Sequence, residues 1–122
     1  MSTLLIAGCV ILKDGKILLV RKSDRDFWEL PGGYAKEGEE EQVAVEKTKG
    51  QIGVEPTVIQ QFTVLEFQKD GKNIEAPIFE CDLDPDAAFK PGEGVAEVRW
   101  FDLESADKEN VGADVKAILE EL

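Results

Sequence analysis

The chain has no histidine. An imidazole base and a histidine metal ligand are therefore excluded, and any proton transfer falls to Glu, Asp, Lys, Tyr or Cys. Cysteine is scarce: Cys9 and Cys81 stand far apart, each in an apolar, strand-like run. Two cysteines without close spacing make no zinc site, so buried reduced thiols are expected at both positions. Basic residues are few, 14 against 26 acidic ones, which leaves a net charge of −12. That disfavours nucleic acid as a partner, since nonspecific affinity comes mainly from Lys and Arg at phosphates. A small nucleotide is a different matter, because a local basic patch can hold it. No run approaches roughly eighteen consecutive apolar residues, so neither a transmembrane helix nor a membrane partner is expected. The start, Met1-Ser2-Thr3-Leu4, has no basic leader or small-residue cleavage site, and the cytoplasm is the expected location.

What is present describes an ordinary globular chain. With 122 residues, 43% of them apolar and 33% charged, one domain spanning residues 1–122 and a core without staples are expected. Leu4 to Leu12 and Ile17 to Val20 are apolar runs separated by Lys13-Asp14-Gly15-Lys16. Asp-Gly between two such runs predicts a hairpin. The runs are nearly continuous rather than alternating, which predicts strands covered on both faces. Phe27 to Leu30 reads as a short strand stopped by Pro31-Gly32-Gly33. Thr57 to Gln68 and Ile74 to Leu83 read as partner strands, and Glu97 to Phe101 as a last one. Glu39 to Lys49 reads as a helix whose acidic first turn suits the helix dipole. Gly50 is either an interior residue, about 1 kcal/mol worse than Ala, or an early C-cap. Val111, Val115, Ile118, Leu119 and Leu122 form one apolar helical stripe. Strands interleaved with two helices imply a mixed sheet with a helix on each side.

The densest motif runs from Trp28 to Val54, WELPGGYAKEGEEEQVAVEKTKGQIGV. Its first half resembles the Nudix box, written G-x5-E-x7-R-E-U-x-E-E-x-G-U with U a bulky aliphatic. Gly33 and Glu39 fall on the opening Gly and Glu, and the Trp28-to-Gly33 lead-in is also typical of that family. The second half departs and is one residue short. Counted forward from Gly33, the Arg-Glu pair falls on Lys47 and Thr48, and the Glu-Glu pair on Gln51 and Ile52. Counted backward from Gly53-Val54, the pairs fall on Glu46 and Lys47, and on Gly50 and Gln51. Neither count puts a carboxylate at the three helical metal-binding Glu positions, and both stay open at this point.

The resemblance implies a Nudix-type α/β/α sandwich with a mixed β-sheet. It implies a metal site that uses the Gly33 backbone and Glu39, with Mg2+ or Mn2+ as cofactor if the activity is kept and no metal otherwise. Magnesium asks for oxygen ligands at roughly 2.1 Å. Carboxylates three and four residues apart on a helix share a face and supply them, whereas Lys47 or Lys49 there would repel the ion. Glu39, Glu46 and Glu93 are the candidate catalytic carboxylates. Arg21, Lys22 and Arg25 form the densest basic patch and are candidates for a diphosphate, Gly32 and Gly33 for close approach of backbone to phosphate, Trp28 for core packing or for stacking on a base, and Tyr34 for stacking on a base. Three readings follow. The chain binds a nucleotide or other phosphorylated small molecule with weak or absent metal-dependent pyrophosphate hydrolysis; it is an active nucleoside diphosphate-X pyrophosphatase using substitute carboxylates; or it is a protein-interaction module. A homodimer is compatible with each.

Overall fold

The structure, a computed structural model, describes residues 3–122. Its elements in order are β1 (Thr3–Lys13), β2 (Lys16–Lys22), β3 (Trp28–Glu29), β4 (Gly32–Tyr34), α1 (Glu40–Ile52), β5 (Thr57–Lys69), β6 (Lys72–Asp82), β7 (Val95–Asp102), a short 3-10 helix (Ala106–Lys108) and α2 (Ala113–Glu121). The strands run in the order β3-β2-β1-β6-β5, with β4 paired to β1 and β7 to β2. Only β1 and β6 pair in parallel among the paired strands described, so the sheet is mixed.

Both Asp-Gly hairpins form. Asp14 and Gly15 take φ of 51° and 75°, and Asp70 and Gly71 take 53° and 76°. Two successive positive φ values are what the tight hairpin turn needs. The continuous apolar runs are covered on both faces, as their composition requires. Val10, Ile17 and Leu19 face one side with Trp28, Ile78 and Phe101, where Val115 and Ile118 of α2 close the layer. Cys9, Ile11, Leu18 and Val20 face the other with Phe79 and Cys81, under Ala44 and Ile52 of α1. Each fully buried aliphatic side chain contributes about 1.5–3 kcal/mol to the fold. The two thiols are free, buried and only 3.3 Å apart. The hydrogen bond to Cys9, with burial, pushes the Cys81 thiol above its ordinary range. None of the helices described is long and apolar enough to cross a membrane.

Helix α1 corrects one of the two readings of Gly50. The helix does not end there; it continues to Ile52, and Gly53 caps it at φ 78° with its N–H on Lys49 O. The reason lies in the loop before β7. Lys90 N–H donates to Ile52 O at 2.8 Å and Gly92 N–H to Gln51 O at 3.0 Å. These bonds satisfy carbonyls that a helix end leaves without partners. The approach is close enough that a Cβ on Gly92 would lie 1.7 Å from Gly50 O. That docking offsets the cost of an interior glycine. The stretch Gly32–Tyr34, which reads as a turn in the sequence, forms the short strand β4 against Ile6–Gly8 of β1.

Candidate functional site

Pairing of β4 with β1 sets the geometry of the site. Gly32 has φ 151°, and a Cβ there would lie 2.2 Å from Ala7 O. Only glycine permits that approach. The glycine pair forms one wall of a cavity of about 80 Å³ on the α2 side of the sheet. Its floor is apolar, from Ile6, Ala76 and Ile78, and its polar groups are Lys22, Arg25, Glu29, Lys69 and Asp114.

Glu29 is only 6% exposed. Its Oε1 accepts from Arg25 Nη1 at 2.6 Å and lies 3.6 Å from Lys69 Nζ. Its Oε2 is buried without a hydrogen-bond partner among the described residues. Buried polar atoms are nearly always paired, which makes Oε2 an exception beside the cavity. Across the cavity, Asp114 Oδ2 accepts the Leu30 N–H at 2.9 Å. Burial pushes the Asp114 carboxyl up to about 6, and the charge of Glu29 adds to the effect, while the Leu30 N–H opposes it.

A pH dependence follows. The folded protein holds the Asp114 proton up to about pH 6, whereas the ordinary value is 3.8. Between those values the folded state binds more protons than the unfolded chain. Its stability therefore falls as pH rises from about 4 to about 6, and this group adds no further slope above that. Asp114→Asn keeps an oxygen for Leu30 and removes the charge. It is expected to flatten that segment and to raise stability at neutral pH by about 1–3 kcal/mol. Urea unfolding at a series of pH values measures both, and an unchanged slope would count against the assignment.

On the other side of the glycine pair stands α1. Ala44, Thr48 and Ile52, four residues apart, are its fully buried stripe. Lys47 and Gln51 project instead towards Gly32 and Gly33. The Gln51 carboxamide makes two bonds of 2.9 Å with Gly32, accepting its N–H and donating to its carbonyl. The Lys47 stem lies along Gly33: a Cβ on Gly33 would be 3.0 Å from Cγ, 3.2 Å from Cδ and 3.4 Å from Cε. The forward count of the motif is thereby corrected. It would require Thr48 and Ile52 to face the cleft, and both are buried beneath the helix. The backward count places Lys47 and Gln51 at cleft-facing positions, as observed.

The other residues singled out in the sequence fall in several places. Arg25, Gly32, Gly33 and Tyr34 line the cavity, and Tyr34 is 62% exposed. Arg21 lies outside it, 3.7 Å from Glu97. Of the two readings of Trp28 the core one holds and the stacking one is corrected: its ring is a core side chain, edge-on to Phe101 at 4.7 Å between centroids with the Arg99 guanidinium at 4.7 Å. It is absent from the cavity lining, so it offers no stacking platform there. The three candidate catalytic carboxylates do not converge. Glu39 occupies the N-cap position of α1, with its carbonyl bonded to Val43 N–H. Glu46 accepts from Gln42 Nε2 on the exposed helix surface. Glu93 is exposed in the loop docked on the end of α1. Among the described residues no group of three or more Cys, Asp or Glu is arranged to hold a metal.

Sequence reasoning missed Glu29, Asp114 and Lys69, whereas Lys22 stood in its basic patch and its backward count held Lys47 and Gln51. Two signals were available. Glu29 interrupts the buried strand Phe27–Leu30, and Asp114 sits one residue before Val115 and four before Ile118, beside the apolar stripe.

Comparison with known proteins agrees with this geometry. A model of the NUDIX domain matches residues 3–122. A MutT-like protein of Streptomyces ambofaciens is 50% identical over 28 residues, which is 23% of this chain and 18% of that relative's length. The E. coli ORF135 protein superposes with a TM-score of 0.80 at 24% identity, over 99% of this chain and 89% of that one. A C. elegans Ap4A hydrolase does so with a TM-score of 0.80 at 23% identity, over 97% and 93%. These likenesses carry the α/β/α fold, and the domain match carries the family. The chain belongs to the Nudix domain family.

Proposed function

We propose that the protein binds a nucleoside diphosphate-type or other phosphorylated small molecule in the cleft beside Gly32 and Gly33, with weak or absent metal-dependent pyrophosphate hydrolysis. The observation that carries the reading is the charge of the cavity. In a chain of net charge −12, three cations, Lys22, Arg25 and Lys69, meet at one small cavity walled by a glycine pair. Lys22, in no ion pair among the described residues, can hold a phosphate oxygen. Arg25 and Lys69 are tied to Glu29 and hold its carboxylate in place. Glu29 Oε2 and Asp114 then present acceptors to the donor groups of a base-like moiety.

Family membership implies a divalent metal, magnesium or manganese. The residues at the glycine pair do not fit one. A hard dication seeks several oxygen ligands. Here Gly32 O already accepts from Gln51, the Gln51 oxygen already accepts from Gly32, and the neighbouring side chain is the Lys47 amine. No hydrolytic step is therefore assigned to that position.

Thermal melting with a nucleoside diphosphate tests the reading. A ligand that binds only the folded state at about ten times its Kd adds about 1.4 kcal/mol, which for a chain of this size is roughly 5 °C. Lys22→Ala is expected to lose most of that shift. Were nucleoside diphosphate, nucleoside monophosphate and pyrophosphate all without effect, the scaffold would serve protein interaction instead.

A further inference from the structure

Lys47 is the lysine that packs along Gly33. Among the described residues it belongs to no ion pair, whereas Lys49, two positions on, lies 3.8 Å from Glu55. Its stem follows Gly33 through Cγ, Cδ and Cε on the α1 side of the glycine pair, across that pair from the cavity that Lys22, Arg25 and Lys69 line. One turn later Gln51 fastens α1 to Gly32 with both ends of its amide. The helix that carries the lysine is thus fixed relative to the wall.

We propose that the Lys47 ammonium is the cation on the α1 side of the glycine pair and binds a phosphate of the ligand directly, beside the cations of the cavity, so that binding needs no divalent metal. The inference rests on the phosphorylated-ligand reading above and adds its charge partner. An ammonium is a compact point charge with three donors and suits a phosphate oxygen. A fixed positive charge at the glycine wall also disfavours a second, metallic one. Magnesium in solution then acts chiefly on the ligand, neutralising the phosphate that Lys47 would hold.

Calorimetry with inorganic pyrophosphate as the probe, in chelator and in excess magnesium, tests this on the whole chain. The wild type is expected to bind in chelator and to bind no more tightly with magnesium. Lys47→Gln should lower affinity about tenfold, the usual scale for losing a hydrogen bond to a charged group, and Lys47→Arg should restore most of it. Lys47 is exposed, so circular dichroism should show both variants folded. Pyrophosphate bound only with magnesium would overturn the proposal and leave the phosphorylated-ligand reading standing. Unchanged affinity in Lys47→Gln would do the same. No binding under either condition would overturn both.

Discussion

Thr48→Glu is expected to destabilise the fold by about 3–5 kcal/mol, the scale for leaving a charge buried without a partner. Thr48 is 0% exposed, and its Oγ1 already lacks a hydrogen bond of good geometry among the described residues. It belongs to the buried stripe of α1 with Ala44 and Ile52, and its hydroxyl lies near the Cys9 thiol. A carboxylate there would meet thiols and aliphatic carbon. Lys47→Glu, one residue earlier, changes an exposed position and should stay within about 0.5 kcal/mol of wild type. Urea midpoints of the two variants, measured side by side, make the comparison. Equal midpoints would mean that the helix presents a different face to the cleft.

The second large effect is a gain. Lys47→Glu combined with Gln51→Glu should raise magnesium affinity at least a hundredfold. Two carboxylates four residues apart share one helical face. The second change also releases Gly32 O, so a third oxygen becomes available beside them. The scale follows from charge: in high dielectric, a dication about 4 Å from each carboxylate gains about 2 kcal/mol per carboxylate, and the lysine's repulsion is removed as well. Magnesium titration by calorimetry reads the gain directly. The control is Gln51→Glu alone, which keeps the lysine and should gain far less. A double variant that folds yet binds magnesium no better than wild type would show that the cleft has been rebuilt beyond those two side chains.

How much of this could be read from the sequence depends on how far apart the deciding residues lie. The hairpins at Asp14-Gly15 and Asp70-Gly71 are local, and the residues themselves carry the required φ values. The two-faced strands are also local, because burial on both sides demands continuous apolar runs. The register of the box is not local. It depends on Lys90 and Gly92 reaching back to the last turn of α1, which lets the helix run through Gly50. The cavity is less local still. Its two carboxylates are 85 positions apart and meet only because α2 packs its first turn against the strand that carries Glu29, where Leu30 N–H finds Asp114. Trp28 was open in the sequence between core packing and base stacking, and its place in a two-residue strand, edge-on to Phe101, commits it to the core.

The double bond between Gln51 and Gly32 has a mechanical consequence. Gln51 also offers its backbone carbonyl to Gly92, so one residue is the common fastener of three segments: the Phe89–Gly94 loop, helix α1 and the glycine strand. Pulling on that loop pulls on the wall of the cleft. The Gln51 amide thus acts as a rivet, and a change at residue 51 is transmitted both to the loop and to the glycine strand.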